Sequence, residues 1–565
     1  MSPIATAPPT ISAQRLQRAL RDRNVRAWIA RVAKLAALCA VVAVLDRAAV
    51  RSIAPNSDAA SLVLEGQSVL HGNLLLHGWA LSLDSFWTSE VPFYAAAVLV
   101  VGVHGVLLAL VPAVLLGLVT AVGLMIVADG RPWPAAVAGG VVVVAFLDVP
   151  VHALAEYLLL GGAHVGAMLW SLVAFFALRR GRWGAGVVIA IAALTIGMLG
   201  DLQTIAYGTG PVFVAGLTGM LRRRRVREGL PNVAAAAGAS VLTVVIRELA
   251  EAIGTFSIGR ANPLAKPAQI GHNVLHLYSI GGELIGLRSV VYGTGGVPGP
   301  LQDVHVVGAV FLLLCAGLAA VRLVIGVVAG SERDGGPEVR RVRERTPWWQ
   351  SGPSGWRLDD MLLLGSIGVA LSYLLLAFSD TPHFARYLTG AVVFVVLIAG
   401  RQVARTWRVA MVPVLRWSVA ALGVAVAACF AAGFVCMVQT PGPARPTAVL
   451  ARWLEAHGLT DGVAPYLWSS ITTVESDGAV RVRPVILGPN GKLVRYERES
   501  DAAWYADQRF SFLAFRPHAP WGGVNSESAE ATFGPATKEA TVDGFEIMVW
   551  TRPFTVSPSG GYGTS

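Results

Sequence analysis

Residues 91–129 read VPFYAAAVLVVGVHGVLLALVPAVLLGLVTAVGLMIVAD, and this stretch decides how the chain is threaded. Residues 91–128 contain no Asp, Glu, Lys or Arg. A helix needs only about 20 apolar residues to cross the hydrocarbon of a bilayer. The stretch is therefore long enough either for two crossings or for one crossing and a shorter helix at the membrane surface.

Short arginine clusters decide between these two threadings. They stand between apolar runs, as the positive-inside rule expects of cytoplasmic loops, and they lie at residues 179–182, 222–227, 340–345 and 401–408. With a cytoplasmic N-terminus, two crossings within residues 91–129 would put the cluster at 222–227 outside. The sequence therefore predicts a juxtamembrane or re-entrant helix near residues 93–104, then one spanning helix that ends near residue 127.

The chain as a whole is expected to be an α-helical polytopic membrane protein with about 11 transmembrane helices. The arginine-rich arm 1–31 is predicted to be cytoplasmic, and the apolar stretch that begins at residue 32 is predicted to be a retained first helix rather than a cleaved signal peptide. The helices that follow residue 127 are expected at 134–149, 163–178, 184–200, 208–221, 232–253, 304–328, 360–378, 386–400 and 410–437. The transmembrane domain would then cover residues 32–438 of a plasma-membrane protein, with long outside loops at about 50–90 and 254–303.

Composition supports a membrane protein and excludes other classes. The chain is 54% hydrophobic and 14% charged, whereas soluble domains carry about 25% charged residues. The net charge of +10 is concentrated in arginine loops between apolar runs, so no nucleic-acid partner is predicted. The cysteines all lie in apolar segments, which predicts no disulfide framework for the C-terminal region.

A proline-rich linker at residues 440–446 marks the start of an extracytoplasmic C-terminal α/β domain, because prolines there cannot continue the preceding helix. The domain is expected to cover residues 439–556, with a disordered tail at 557–565. A helix is predicted at 447–457. Strands are predicted at 469–474, 479–487 and 492–497, with turns at 476–478 and 489–491.

Polar side chains gather in the loops that this topology places outside the cytoplasm. Ionisable groups are costly to hold at a bilayer, which makes them candidates for function. The candidates in the first loop are Asp58, Glu65, His71, His77 and Asp84; those in later loops are Asp148, His152, His164, Asp201, Arg288, His383 and Arg386.

Several short motifs stand among these residues: Ser57-Asp58-Ala59, Glu65-Gly66, Leu70-His71-Gly72-Asn73, Leu76-His77-Gly78-Trp79 and Arg386-Tyr387-Leu388. They resemble motifs of the GT-C superfamily of integral membrane glycosyltransferases, of the protein-mannosyltransferase and aminoarabinose-transferase type. That family places an essential acid near the start of the first long outside loop, followed by a Gly-rich stretch, and it carries an outside C-terminal domain. Many members have paired acids in the first loop, but here Asn56 and Ser57 precede Asp58. A divalent metal is therefore possible but not favoured.

The resemblance implies transfer of a sugar from a polyprenyl-phosphate donor to an extracytoplasmic acceptor, such as an envelope glycan, a lipid or a protein. Asp58 is the candidate general base, and Arg386 and Arg288 are candidates to stabilise the departing phosphate. Further candidates for donor binding are His71, His77, His383 and Tyr387. Secondary candidates for the site are Glu65, Asp148, His152 and Asp201.

Simpler structural roles remain open for several of these residues. Asp58 could cap the helix that follows it, and Arg386 could anchor a helix at the membrane interface. Asp148 and Asp201 could cap helices, and His152 and His164 lack the tight spacing of metal ligands.

Two other functions also remain open. A transporter or lipid flippase would be expected to show internal repeats and polar residues at mid-membrane, and neither is evident. A non-catalytic envelope scaffold would not need the acids of the outside loops.

Overall fold

The computed structural model is mostly helical and describes residues 23–223, 226–258, 264–287, 299–329, 357–375, 377, 382–406, 413–439, 442, 444–506, 508–517, 519 and 522–559. The helices of the first part of the chain are α1 (Arg23–Ser52), α2 (Ser57–Leu70), α3 (Val91–Val101), α4 (Leu107–Ala128), α5 (Trp133–Leu147), α6 (His152–Leu158), α7 (Val165–Leu178), α8 (Ala185–Gly200), α9 (Gly210–Arg223) and α10 (Leu230–Ala252). The later helices are α11 (Pro267–Leu284), α12 (Gly299–Ala329), α13 (Arg357–Leu375), α14 (Thr389–Thr406), α15 (Pro413–Gln439), α16 (Pro446–Ala456), α17 (Tyr466–Glu475) and α18 (Ser526–Phe533).

The protein is a multi-pass membrane protein, but the predicted count of about 11 spans is not confirmed. Among the described residues, five helices are long and apolar enough to cross a bilayer: Leu107–Ala128, Leu230–Ala252, Asp303–Val328, Arg357–Leu375 and Phe384–Arg405. A sixth arises if α5 and α6, which meet at an angle of 85°, are counted as one span. Several other expected spans are helices of fewer than 18 residues, such as α7 with 14 and α8 with 16.

The stretch 91–129 forms a short helix and a long one. The 11-residue helix α3 stops where Gly102 adopts a positive φ of 76°, and α4 then runs for 22 residues. At about 1.5 Å per residue, α3 is too short to cross a bilayer and α4 is long enough. This agrees with the predicted surface helix followed by one span.

Arginines of three of the arginine clusters form buried ion pairs with aspartates at one end of the helical bundle. Arg179 Nε donates to Asp129 Oδ1 over 3.0 Å, and Arg401 Nε donates to Asp359 Oδ1 over 2.5 Å. Arg222 lies 3.4 Å from Asp360. Helix α8 leads away from this end toward Asp201, and its 16 residues span about 24 Å. The outside acids thus lie at the opposite end of the bundle, although the orientation of the termini across the membrane stays a prediction.

Residues after 460 form a six-stranded mixed sheet with strand order β5-β4-β3-β7-β9-β8. Its strands are β3 (Asp461–Pro465), β4 (Arg481–Leu487), β5 (Leu493–Arg495), β7 (Phe510–Phe515), β8 (Lys538–Val542) and β9 (Phe545–Phe554). The predicted helix 447–457 and the strands near 479–487 and 492–497 are present as α16, β4 and β5. The predicted strand at 469–474 is wrong, because these residues lie in helix α17.

The reason for this error is the run Ile471-Thr472-Thr473-Val474, whose β-branched residues favour strands in isolation. All four side chains are buried. Hydroxyls of the helix bond back to carbonyls one turn earlier, as Thr473 does to Ser469. Packing of α17 against α2 and the sheet therefore outweighs local propensity.

A second, three-stranded sheet ties the C-terminal region to two outside loops. Its order is β2-β1-β6, with β1 at Trp79–Leu81, β2 at Ser257–Ile258 and β6 at Ser500–Asp501. Ala80 pairs with Ser257 on one side and with Ser500 on the other. The C-terminal region is thus fixed to the first loop by backbone hydrogen bonds.

Candidate functional site

Asp58 lies in the first turn of α2, and it is not the residue that caps the helix. The N-cap is Asn56, whose side chain accepts a hydrogen bond from the Ala59 amide over 2.9 Å. The carboxylate of Asp58 is therefore available for other contacts, and it is 36% exposed. An acid in the first turn is also stabilised by the helix dipole.

Arg386 makes an ion pair with Asp58. It lies in a 3₁₀ turn (Pro382–Leu388) that leads into α14, and its Nη1 donates to Asp58 Oδ2 over 3.0 Å. The Arg386 Nε atom is buried and has no hydrogen-bond partner among the described residues. The guanidinium, 25% exposed, thus retains capacity to donate to another anion.

The C-terminal region supplies the second contact to Asp58. The hydroxyl of Tyr466, the first residue of α17, donates to Asp58 Oδ1 over 2.7 Å. The Tyr466 ring packs against Tyr496, with ring centroids 5.2 Å apart. The two oxygens of the carboxylate therefore contact different partners, a cation from the bundle and a phenol from the C-terminal region.

A cluster of three ligating side chains, with Asp84 half-buried and His164 and Asp201 buried, lies beside this pair. One ligand atom each from Asp84, His164 and Asp201 falls within 4.8 Å of the others, a grouping that could hold a metal ion. His164 Nδ1 lies 2.8 Å from Asp201 Oδ2, and His164 Nε2 has no partner among the described residues. The Tyr387 hydroxyl donates to Asp84 Oδ2 over 3.4 Å, which links the cluster to the turn that carries Arg386.

Burial governs the protonation of this cluster. It raises the pKa of Asp201 to about 7 and, with the charge of Asp201, that of Asp84 to about 6. Burial also lowers the pKa of His164 to about 4. Glu90, which accepts from the Gly166 amide over 3.0 Å, has its pKa raised by burial to about 7. Neutral imidazole is the form that binds metal, and a divalent cation would favour the ionised carboxylates.

The charge of Asp58 acts on two further acids, Glu65 and Glu499. Glu65, on α2, is fully buried, and burial followed by the charges of Glu499 and Asp58 raises its pKa well above the ordinary value. Glu499 accepts from the Ser82 amide over 2.7 Å, and burial raises its pKa to about 7. Burial therefore favours the protonated form of Glu65, which cannot accept a proton as a base would.

The structure does not bring every predicted residue to this site. His71 follows the last residue of α2, whose 14 residues span about 21 Å, so it lies at the far end of the helix from Asp58. His77 is exposed, and its amide donates to Asn73. Asp148 accepts from the Thr120 hydroxyl over 2.7 Å within the bundle. His152 begins α6, and no described contact joins it to Asp58.

Two predicted donor-binding residues cannot be placed in the site. Arg288 lies outside the described residues, as does the side chain of His383. Their roles, like those of His71 and His77, stay predictions.

Sequence reasoning did not assign Tyr466 to the site, nor Asp84 and His164 to one cluster. Asp84 and His164 were recognisable as polar residues of outside loops, but 37 residues separate His164 from Asp201, so no metal-ligand spacing is visible. Tyr466 gave no signal, because nothing in the residues around it indicates a contact with the first loop.

No protein-family model matches the chain, and no curated protein matches it. Solved structures that resemble it include ArnT from Cupriavidus metallidurans, in the apo state and bound to undecaprenyl phosphate. The apo structure is 12% identical, with 92% of this chain and 98% of that chain covered and a TM-score of 0.48. The undecaprenyl phosphate complex is 13% identical, with the same coverage and TM-score.

The oligosaccharyltransferase of Archaeoglobus fulgidus, in complex with Zn and sulfate, is also similar. It is 11% identical, with 85% of this chain and 67% of that chain covered and a TM-score of 0.43. Both proteins are GT-C glycosyltransferases, the superfamily that the sequence motifs resemble. At these identities and TM-scores the likeness assigns no activity to this chain.

Proposed function

We propose that this protein is a membrane glycosyltransferase that moves a sugar from a polyprenyl-phosphate donor to an extracytoplasmic acceptor hydroxyl. The observation that carries the proposal is the contact of 3.0 Å between Arg386 Nη1 and Asp58 Oδ2. It puts a carboxylate and a guanidinium side by side at the end of the bundle opposite the arginine loops. This pairing of a base with a phosphate-binding cation is what the reaction needs.

The reaction requires one bond to form and one to break at the anomeric carbon. The acceptor hydroxyl attacks this carbon while the Asp58 carboxylate takes the hydroxyl proton. The bond from the anomeric carbon to the phosphate oxygen breaks, and the electron pair leaves with the polyprenyl phosphate. A single displacement of this kind inverts the anomeric configuration.

The departing phosphate gains negative charge, which the Arg386 guanidinium is suited to stabilise. Its planar fork matches phosphate oxygens, and the guanidinium is 25% exposed and gives Asp58 only its Nη1. A donor aimed where charge develops contributes to the rate, because it costs little reorganisation at the moment of reaction. The sequence contains no P-loop or dinucleotide-binding glycine motif, in keeping with a lipid-linked donor.

Asp84, His164 and Asp201 fit a divalent cation, since two carboxylates and a neutral imidazole form a mixed O/N donor set for Zn²⁺ or Mn²⁺. A cation held there would supply positive charge beside the phosphate site. Asp84, His164 and Asp201 would hold this cation. The Tyr387 hydroxyl, which donates to Asp84, would orient the Asp84 carboxylate.

The deciding experiment follows transfer of radiolabelled sugar from a panel of polyprenyl-phosphate donors in membranes that carry the wild type or Asp58→Asn at matched expression. We expect transfer by the wild type and a loss of at least about 100-fold in Asp58→Asn, which keeps the size of the side chain but cannot accept the proton. Asp461→Asn is the matched control, because Asp461 pairs with Arg481 in the C-terminal sheet.

Two outcomes would contradict the proposal. Normal transfer by Asp58→Asn would remove Asp58 as the base. No turnover of any donor by the wild type would favour a transporter or a scaffold.

A further inference from the structure

If the proposed function holds, Asp58 and the donor phosphate both bind the guanidinium of Arg386. In the structure its Nη1 is engaged by Asp58 Oδ2 at 3.0 Å, yet the departing phosphate needs the same guanidinium. While this ion pair persists, Arg386 engages one lone pair of Asp58 Oδ2, and one N–H of the guanidinium fork is withheld from a phosphate. The full fork becomes available to the phosphate only when the contact with Asp58 is broken.

Tyr466 determines the position of the Asp58 carboxylate once the ion pair with Arg386 is broken. Its hydroxyl holds Oδ1 at 2.7 Å, and it contacts the oxygen that Arg386 leaves free. The ring is held in turn by Tyr496. Loss of the Arg386 contact would thus free Oδ2 while Oδ1 stays fixed.

The C-terminal region holds Tyr466 rigidly relative to the bundle. The pairing of Ala80 with Ser500 joins the first loop to this region, and Glu499 accepts from the amide of Ser82 in the same loop. The Ser61 and Ser470 hydroxyls, 3.5 Å apart, add a contact between α2 and α17. Tyr466 can therefore hold the Asp58 carboxylate in a fixed orientation.

We infer that binding of the donor phosphate draws Arg386 away from Asp58 while Tyr466 retains the carboxylate, so that the base becomes free only after the donor has bound. The inference rests on the proposed function and adds an order to it, with the donor before the acceptor. It also assigns Tyr466 as a positioning residue from the C-terminal region.

The exchange is feasible because the ion pair is partly exposed, with Arg386 25% and Asp58 36% accessible. Pairs in such surroundings are weak and easily exchanged. A phosphate offers several oxygens to the guanidinium fork, so it can replace a carboxylate that uses only one nitrogen.

The test measures equilibrium binding of undecaprenyl phosphate to the purified full chain in lipid nanodiscs, which requires no turnover. If Asp58 competes with phosphate for Arg386, Asp58→Asn should bind this lipid about twofold to fivefold more tightly than the wild type, the range for loss of a partly exposed ion pair. Asp461→Asn, with the same change of charge at the end of β3 opposite Tyr466, should bind like the wild type. Arg386→Ala should bind at least about tenfold more weakly.

Tyr466→Phe tests the positioning role, because it removes only the hydroxyl and keeps the ring. It should bind undecaprenyl phosphate like the wild type but transfer sugar at least about tenfold more slowly, as a misplaced reactive group would. Tyr505→Phe is the control, since the Tyr505 hydroxyl donates to the Pro484 carbonyl within the same region. It should alter neither binding nor turnover by more than about twofold.

The outcomes separate this inference from the proposed function. Unchanged or weaker binding by Asp58→Asn, beside a wild type that binds and an Arg386→Ala that does not, would overturn the exchange and leave the donor assignment standing. Full turnover by Tyr466→Phe would overturn the positioning role. Equal binding by Arg386→Ala and the wild type, or no binding by either, would overturn both the inference and the donor assignment.

Discussion

His164 Nδ1 lies 2.8 Å from Asp201 Oδ2, and both side chains are almost completely excluded from solvent. Asp84 completes the group, with one ligand atom of each residue within 4.8 Å of the others. Near pH 6, burial keeps His164 and Asp201 largely neutral and leaves Asp84 about half protonated, because it raises the pKa of both carboxyls and lowers that of the imidazole. Ionising a buried carboxyl costs free energy, and a bound cation would offset this cost by stabilising the ionised form.

The first prediction is that this cluster binds a divalent cation. Titration calorimetry with Zn²⁺ or Mn²⁺ should give one site whose affinity falls at least about tenfold in His164→Ala. Affinity should also fall as the pH is lowered from 8 to 5, since protons compete for carboxyls whose pKa values lie at about 6 and about 7.

His104→Ala is the matched control for this measurement. His104 is half-exposed and pairs only loosely with Asp477, at 3.7 Å, so its loss should leave the affinity unchanged. Equal affinity in His164→Ala and the wild type would show that the cation binds elsewhere.

The second prediction concerns stability in the absence of metal. Because the pKa of Asp201 is raised from 3.8 to about 7, the folded state favours its protonated form. The contribution of Asp201 to stability is fully present below about pH 4 and is lost as the pH rises through about 7. Asp201→Asn cannot ionise, so it should be more stable than the wild type at pH 8 by about 1–4 kcal/mol, with the gap closing toward pH 4.

Thermal unfolding from pH 4 to 8 in the presence of a chelator measures this difference. The asparagine oxygen can still accept from the Gln203 amide, as Asp201 Oδ1 does over 2.8 Å. Asp477→Asn, at an exposed side chain, should change stability by less than about 0.5 kcal/mol. A variant Asp201→Asn that is less stable than the wild type at pH 8 would contradict the prediction.

Much of the helical fold could be predicted, because the controlling signals are local. Apolar runs and arginine clusters located α5 and α7–α10 to within a few residues. The division of the stretch 91–129 into a short helix and one long helix followed from its length together with the positions of the arginine clusters. The number of spans was less predictable, since helices such as α9 have only 14 residues and their burial in the bundle cannot be read from hydropathy. The strand predicted at 469–474 failed for a related reason, as tertiary packing decided the structure of α17.

The site was predictable only in part. Asp58 and Arg386 stand in motifs that a sequence can display, and the structure brings them together across 328 residues. Tyr466 reaches Asp58 across 408 residues, and no pattern near Tyr466 indicates that contact. The grouping of Asp84, His164 and Asp201 likewise depends on how three loops meet.

The third prediction concerns the ion pairs at the end of the bundle that carries the arginines. Asp359 accepts from Arg401 Nε and from Arg405 Nη2, each over 2.5 Å, and Arg401 is 1% exposed. Asp359→Asn removes the carboxylate charge that faces the buried Arg401 guanidinium, so it should lower the free energy of unfolding by about 3–5 kcal/mol. Thermal unfolding in detergent at neutral pH measures the loss.

Glu251→Gln is the control for Asp359→Asn. Glu251 pairs with Arg247 over 2.9 Å, with about half of each side chain exposed. A pair of this kind contributes about 0.3–0.5 kcal/mol. Equal effects of the two variants would mean that the Asp359 pairs are solvated and contribute little.

The last prediction concerns Gly66, where two helices meet closely. A Cβ atom at this position would lie 2.7 Å from the Ala95 amide nitrogen and 2.9 Å from the Tyr94 carbonyl carbon. Both are backbone atoms of α3, which cannot rotate away as a side chain can. Gly66→Ala should therefore push α2 from α3 and destabilise the protein by about 1–3 kcal/mol.

The shift should also reach the site, because Asp58 lies on the same helix as Gly66. Sugar transfer by Gly66→Ala should fall more than its folded fraction, as Asp58 moves relative to Arg386. Gly271→Ala is the matched control, since Gly271 lies within α11 and a Cβ there meets no atom within 4 Å. Alanine is the better helix former by about 0.5–1 kcal/mol, so this variant should be as stable as the wild type or more so. If both variants behaved alike in unfolding and transfer, the close approach of α2 and α3 would not be what positions Asp58.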